Sequence, residues 1–226
     1  RMKGEVAVSE IEISIENIHE NHYLDEKDII KLMRLDVDNL RGANISKLNF
    51  RDIEERIRQN PYVGEAELFS DLKGNLMVTV SLRRPIARII QSEGPDAYIG
   101  EDGTIMPVSS KFTSRVVLVS GDFVPKFLKL DNIHELKEGD QLMSMLDMLR
   151  EDPFWGAQIA QIDINARGKA TLFPQVGNET IEFGRPTDLE TKFRKLKIFY
   201  KEILPCVGWN KYDRINVEYE GQVVAE

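Results

Sequence analysis

Two histidines near the start of the chain have the spacing closest to a metal-binding pattern. His19 and His22 are separated by two residues, and Asp25 follows His22 by three positions. Imidazole nitrogens and carboxylates are ligands that Zn²⁺ accepts in proteins. The stretch is polar, lies between a predicted strand and a predicted helix, and offers no cysteine and no third ligand at a standard spacing. We therefore expect a turn here, and we expect the chain to bind no metal and no cofactor.

Other residues able to do chemistry stand alone in the sequence. Cys206 is the only cysteine and lies between proline and valine, which is typical of a small apolar residue. Asp163 falls in a predicted strand, and Glu101 and Asp102 fall in a predicted turn. The chain has no glycine-rich phosphate loop, no Gly-x-Ser-x-Gly, no His-Glu-x-x-His and no Cys-x-x-Cys. These patterns predict a protein that is not an enzyme. The alternative, an unrecognised hydrolase, requires a pocket with convergent carboxylates or histidines.

The charge pattern argues against a nucleic-acid partner. The 226 residues carry a formal net charge of −8, with acidic and basic residues spread evenly along the chain. One predicted helix has a basic face, made by Lys192, Arg194, Lys195, Lys197 and Lys201. This face offers a site for phosphate, but a solvated amphipathic surface is the simpler interpretation. No apolar run reaches the roughly 18 residues of a membrane-spanning helix.

The first third of the chain predicts a small α+β module. Ile11, Ile13 and Ile15 alternate with polar residues, which indicates a strand. A short helix opening at Asp25 and a second helix over 50–59 follow, and Asn60-Pro61 ends the second. Two further strands, 62–70 and 75–82, are joined by a tight turn containing a glycine. The order is therefore β-α-α-β-β, and we expect a three-stranded sheet with two helices on one face.

Beyond Pro85 the pattern changes to short strands separated by turns. A Met-rich helix is predicted over 137–150, and three consecutive antiparallel strands over 159–184. Thr187 and Glu190 have capping-box spacing before a helix that we expect Pro205 to stop. The sequence thus predicts a domain over 1–84 and a larger, mostly antiparallel β domain over 85–226, flanked by two helices.

The last stretch, 213–224, has the period-2 pattern of a half-buried strand. Ile215, Val217 and Tyr219 alternate with the polar residues Asn216, Glu218 and Glu220. No later segment of this sequence covers it, so we expect it to form the free edge of the second domain. An exposed edge strand carries unpaired N–H and C=O groups that a partner segment can use.

Several motifs, in this order, resemble a known family. The first module resembles a POTRA domain at Asn60-Pro61-Tyr62-Val63, Ala66 and Arg83-Arg84-Pro85. The rest resembles the extracytoplasmic part of FtsQ/DivIB-type bacterial cell-division proteins, in a Bacteroidetes-like version, at Tyr98-Ile99-Gly100-Glu101-Asp102-Gly103, at Phe183-Gly184-Arg185 and in the closing strand. Tyr62 stands where the family usually has tryptophan, and Gly100 where it usually has aspartate.

The resemblance implies a non-enzymatic scaffold of the divisome at the septum, on the periplasmic side of the inner membrane. It implies an N-terminal membrane helix that this sequence does not include, and the FtsB/FtsL pair as main partner. Carried over to this chain, the partner-binding residues are Arg167, Tyr219, Glu220, Gly221, Gln222, Val223 and Val224. The alternative is a POTRA-containing periplasmic chaperone or assembly module for outer-membrane or secreted proteins, which would be expected to carry tandem POTRA repeats.

Overall fold

The structure, a computed structural model, describes residues 7–18, 22–34 and 42–226. The chain divides into two compact units. The first consists of Arg1–Arg84 together with Ser109–Ser114, and the second of Pro85–Val108 together with Arg115–Glu226. The short segment Ser109–Ser114 therefore packs with the first unit, although it follows strands of the second in the sequence.

The first unit contains a three-stranded sheet and two α-helices. The elements follow the order β1 (Ile11–Glu16), α1 (Glu26–Met33), α2 (Phe50–Arg58), β2 (Val63–Ser70) and β3 (Leu76–Leu82), with a 3₁₀ turn at Ile45–Lys47. The sheet order is β1-β3-β2, with β1 parallel and β2 antiparallel to β3. The predicted β-α-α-β-β order is confirmed.

Alternation along β3 explains how this sheet acquires a buried face. Leu76, Val78, Val80 and Leu82 are buried, and the residues between them are half-buried. Since successive side chains of a strand point to opposite faces, these four residues build one side of the core. Helix α1 starts at a capping box in which Asp25 and Asp28 each accept the other's backbone N–H.

Tyr62, the residue at the position where the family usually has tryptophan, packs against other aromatic rings. The rings of Tyr23 and Tyr62 stack with centroids 4.7 Å apart, and Phe112 meets Tyr23 edge-on at 5.2 Å. Arg83 donates hydrogen bonds to the carbonyls of Pro61 and Val63, which fixes the chain where α2 gives way to β2.

The second unit is built on a nine-stranded sheet. Its strands are β4 (Pro85–Ile89), β5 (Ala97–Gly100), β6 (Ile105–Pro107), β7 (Val117–Ser120), β8 (Ile159–Ile164), β9 (Ala170–Pro174), β10 (Thr180–Gly184), β11 (Arg214–Asn216) and β12 (Val224–Ala225). They lie in the order β12-β11-β10-β9-β8-β7-β4-β5-β6. Five of the eight pairings are antiparallel, and β4–β7, β7–β8 and β10–β11 are parallel. The predicted class, a POTRA module followed by a larger and mostly antiparallel β domain, is confirmed.

Helices cover this sheet. The second unit has α3 (Val124–Phe127), α4 (Lys137–Glu151), α5 (Pro153–Gln158), α6 (Leu189–Ile198) and α7 (Leu204–Val207), with the π-helical turn Phe199–Ile203 between α6 and α7. Their buried faces join the inner face of the sheet in one hydrophobic core. Apolar residues of α4 at helical spacing, Leu142, Met145, Leu146 and Leu149, are all buried in it.

Two predicted boundaries of the last long helix are wrong. Asp188, in the left-handed conformation at φ 53°, is the N-cap of α6, and no side-chain capping bond forms, so the expected Thr187–Glu190 capping box is absent. Pro205 does not stop the helix. It lies in the first turn of α7, where a proline costs no hydrogen bond, and the helix continues to Val207.

Candidate functional site

The closing stretch forms a hairpin where a single strand was predicted. Strand β11 ends at Asn216, the chain turns through 217–223, and β12 returns antiparallel to β11 with Asn216 opposite Val224 and Ile215 opposite Ala225. The period-2 pattern breaks because Asn216 is buried beside Ile215 and Val217. Strand β11 is therefore an inner strand, parallel to β10 on its other side. The edge strand at this end of the sheet is β12.

The free edge is short. Arg214 and Glu226 exchange both backbone hydrogen bonds, Arg214 N–H to Glu226 O at 3.2 Å and Glu226 N–H to Arg214 O at 2.9 Å. In an antiparallel pair the neighbouring residue then directs its N–H and C=O away from the partner strand, and here that residue is Ala225. Natural sheets limit unwanted pairing by keeping edge strands this short. A partner segment that paired with this edge would therefore find few free backbone groups and would have to contact mainly the side chains of the adjoining loop.

Most of the predicted binding residues lie in that loop and are exposed. Tyr219 is 55% exposed, and Val224, in β12, is 37% exposed. Glu220, Gly221 and Gln222 are exposed as well, whereas Val223 is half-buried against the core of the second unit. Tyr219 is thus not a core residue, although Ile215 and Val217, which precede it in the alternating pattern, are completely buried.

Contacts from three neighbouring elements hold the start of the loop. Lys169 Nζ lies 2.5 Å from Glu218 Oε1, and Asn216 Oδ1 accepts the Glu218 N–H at 2.9 Å. Gly184, at φ +73°, faces the same glutamate, since a Cβ built there would lie 2.7 Å from Glu218 Cγ. Gly184 therefore meets two demands that favour glycine, a left-handed backbone and a close neighbour.

Arg167 lies in the turn beside this loop. The turn between β8 and β9 is closed by Asn165, whose side-chain oxygen accepts the N–H groups of Arg167 and Lys169. Lys169, in the same turn, forms an ion pair with Glu218. The turn therefore lies against the start of the hairpin loop. The Arg167 side chain is exposed, and in the part of the chain that the structure describes its guanidinium has no ion-pair partner.

An ion-pair network joins β10, β11 and the residue that follows β12. Arg214 on β11 makes two hydrogen bonds to Glu182 on β10, Nε to Oε1 at 2.7 Å and Nη2 to Oε2 at 2.8 Å, and one to Glu226 at 3.2 Å. Asn216 Nδ2 also donates to Glu182 Oε2 at 2.6 Å. The Arg214 hydrogen bond is the main reason that the pKa of Glu182 lies below its ordinary value.

The lowered pKa of Glu182 predicts that the hairpin is sensitive to acid. A carboxylate whose pKa is lowered by folding stabilises the fold above the unfolded-state pKa, and this contribution is lost as the pH falls through the folded-state value. We expect the NMR signals of β11 and β12 to stay unchanged from pH 7 to 5 and to broaden or shift below the ordinary Glu182 value of 4.5. The Glu182→Gln variant should lose most of this dependence; an identical acid transition in that variant would rule out Glu182 as the responsible group.

A small pocket marks one face of the hairpin. It measures about 240 Å³ and is lined by Arg214, Asn216, Tyr219, Val224 and Glu226. It combines an aromatic ring, an aliphatic side chain and a charged pair, all from the terminal hairpin. This mixture suits a side chain of a protein partner better than a small metabolite, which usually occupies a larger and mostly apolar cavity.

Lysines of α6 contradict the expectation of a solvated basic face. Lys192 is buried and donates to the carbonyls of Phe183 at 3.0 Å and Arg185 at 2.9 Å, and burial lowers the pKa of its ammonium group. Lys195 is half-buried and donates to three carbonyls of the hairpin loop. Arg194 and Lys201 remain exposed, so only part of this face meets solvent.

A metal site and a pocket with convergent carboxylates or histidines are the other possibilities that the sequence raised. Among residues 7–18, 22–34 and 42–226, no three or more His, Cys, Asp or Glu side chains are grouped to hold a metal ion; His19 lies outside these ranges. An open cavity of about 640 Å³ near the ends of β4 and β7 has the carboxylates of Glu93 and Asp122 in its lining, without histidine. The Asp163 carboxylate accepts the Ser120 hydroxyl at 2.8 Å.

Comparisons with known proteins assign both units. The family model described as FtsQ/DivIB, C-terminal related, matches residues 84–226, and a model of the POTRA-like domain matches residues 7–81. A search of curated proteins finds no match. The two domain matches support a scaffold of the divisome type. Within the described ranges, no helix combines the length and apolar character needed to cross a membrane.

Proposed function

Because the chain belongs to the FtsQ/DivIB C-terminal related family, we propose that it is a non-enzymatic divisome scaffold that binds an FtsB/FtsL-like pair through its terminal hairpin. The binding surface comprises Arg167, Tyr219, Glu220, Gly221, Gln222, Val223 and Val224. We propose that the chain lies on the periplasmic side of the inner membrane, in a protein anchored by a helix outside this sequence. We also propose that the boundary between its two domains falls between Arg84 and Pro85.

The observation that carries this proposal is the exposed loop of an edge hairpin whose strand β11 is packed into the core. Tyr219 is 55% exposed while Ile215 and Val217, on the strand leading to it, are completely buried. An exposed aromatic side chain on a well-ordered support is a typical anchor of protein interfaces. The outward-directed backbone of Ala225 offers an extended partner segment the first hydrogen bonds of an added strand.

Arg167 supplies charge to the same surface. Its guanidinium is exposed beside the loop and is not held by an acidic residue of the described chain. A carboxylate of the partner would form a charge-assisted, two-point contact there. An assembly module for outer-membrane proteins explains the POTRA-like match alone; the match over 84–226 favours the divisome function.

Replacing Tyr219 with glutamate tests the surface directly. We expect capture of the purified FtsB/FtsL-like pair from the same organism to weaken at least about tenfold, since truncated or charged anchors at interface centres typically lose this much or more. The melting temperature should not change, because Tyr219 contributes little to the core.

Phe69→Glu is the matched control. Phe69 is an aromatic residue of similar exposure, 51%, on β2 in the first unit. It should leave capture unchanged. Equal capture by wild type and Tyr219→Glu would remove the hairpin from the binding surface, and no capture by the wild type would refute the proposed partner.

A further inference from the structure

We infer that Lys195 is a positioning residue for the docking loop 217–223: its ammonium group holds the loop in the conformation that a partner meets. The inference rests on the proposed function, because it concerns the same loop. It adds to that function a residue that contacts the loop backbone from inside and is not itself part of the partner-binding surface.

The geometry at the Lys195 ammonium is a three-point contact. Nζ lies 3.1 Å from the carbonyl oxygen of Val217, 2.7 Å from that of Tyr219 and 3.1 Å from that of Gln222. A lysine ammonium has three N–H donors and no acceptor, so the three carbonyls match its full capacity. Each bond has a charged donor, which makes it stronger than a bond between neutral groups.

These three carbonyls span the loop. Val217 follows the end of β11, and Gln222 lies two residues before β12, so one ammonium ties together the two arms of the hairpin where no ladder pairing exists. Within the loop, the side-chain contacts of Lys169 and Asn216 are with Glu218, at its start. The tie at Tyr219 and Gln222 therefore depends on Lys195.

The lysine is itself well placed. Helix α6 is fixed to the core by the buried side chains of Phe193 and Leu196, which flank Lys195 in the sequence. One turn earlier, Lys192 donates to the carbonyls at the exit of β10. The helix thus fixes two backbone segments through lysine side chains, and the second of these segments carries Tyr219. Such a supporting contact keeps a binding group in its productive geometry.

The test compares Lys195→Met with Arg194→Met. Arg194 precedes Lys195 in the sequence and is exposed. The Arg194→Met substitution removes the same charge from a side chain that does not hold the loop. In Lys195→Met we expect backbone ¹⁵N order parameters of residues 219–222 to fall from about 0.85 to below about 0.6, and capture of the FtsB/FtsL-like pair to weaken about five- to tenfold. Arg194→Met should match the wild type in both measurements.

Chemical rescue separates positioning from a general structural effect. Cys206 is the only cysteine and is exposed, so the Lys195→Cys/Cys206→Ser protein has one thiol. Alkylation of that thiol with 2-bromoethylamine rebuilds an ammonium at nearly the lysine length, and it should restore both loop order and capture. Unchanged order parameters in Lys195→Met, or a loosened loop with unchanged capture, would overturn the inference. If the wild-type protein captures no partner, the docking function is refuted. The order parameters still show whether the Lys195 hydrogen bonds hold the loop.

Discussion

Replacing Trp155 with alanine is expected to lower the free energy of unfolding of the second unit by about 3–5 kcal/mol, the range found for removing a buried tryptophan or phenylalanine. Trp155 is 1% exposed. Its ring meets Phe154 edge-on at 4.8 Å, Phe193 at 5.2 Å and Tyr200 at 5.8 Å. The variant loses this apolar contact area and several aromatic pairs at once.

The side chain of Trp155 lies next to space that is not filled by other residues. An open cavity of about 260 Å³ adjoins the ring, between α4, α5 and the sheet, and is lined by Leu146, Leu149 and Ile159 among others. Truncation would join the vacated volume to this cavity, and the cost of a large-to-small substitution rises with the volume left empty. We therefore expect the upper part of the range and a melting temperature lower by roughly 10 °C or more.

Tryptophan fluorescence provides the measurement and its control. The chain has two tryptophans, and Trp209, 51% exposed, reports on the same unit once Trp155 is gone. Urea unfolding followed at Trp209 should show the loss, whereas Trp209→Ala, followed at Trp155, should cost less than about 1 kcal/mol, as substitutions at exposed positions usually do. Equal costs for the two variants would contradict the described packing of α5.

The parts of the fold that sequence reasoning predicted well have local causes. The strands and helices of the first unit follow from side-chain periodicity, a proline after α2 and acidic residues at the start of α1. Direction and order of strands in the second unit depend on long-range pairing. The side chains of a strand alternate between the two faces of the sheet whether its neighbour runs parallel or antiparallel. The parallel pairing of Thr180–Gly184 with Arg214–Asn216 was therefore not predicted.

The candidate site shows the same division. Exposure of Tyr219 and of most of its neighbours agrees with a surface function, but the turn after Asn216 was missed because extended loop residues can alternate like a strand. Nothing in the spacing of Lys192 and Lys195 distinguishes them from solvated lysines of an amphipathic helix. Both lysines donate to backbone carbonyls of distant segments. Every residue has a backbone carbonyl, so such a contact cannot be predicted from the residue types.

The second unit also contains a buried carboxyl group whose burial the sequence did not indicate. Glu179, beside β10, is 3% exposed, and its Oε1 accepts the Tyr200 hydroxyl at 2.6 Å. Tyr200 belongs to the π-helical turn, and such insertions in α-helices often serve a specific contact. Burial is the main reason that the pKa of the Tyr200 phenol is raised, with the contact to Glu179 adding to it. A raised pKa favours the neutral hydroxyl, which is the form that donates the hydrogen bond to Glu179.

Replacing Tyr200 with phenylalanine is expected to cost about 3 kcal/mol, because it leaves the buried carboxyl without its hydroxyl donor. Oε2 of Glu179 has no partner among the described residues, so Oε1 carries the hydrogen bonding that the structure shows for this group. The apolar contacts of the ring with Trp155 are retained in phenylalanine, so lost packing contributes little. Thermal unfolding of wild type and variant, converted to free energies at a common temperature, measures the cost.

The double variant Tyr200→Phe/Glu179→Leu decides whether the cost comes from the stranded carboxyl. If it does, removing the carboxyl as well should recover at least half of the loss, because replacing both partners of a buried hydrogen bond by apolar groups is close to neutral. The coupling energy of the cycle should then reach about 1–3 kcal/mol, the range for groups in direct contact. Additive losses in the double variant would mean that the Tyr200 hydroxyl stabilises the protein independently of Glu179, and would rule out the stranded carboxyl as the cause of the cost.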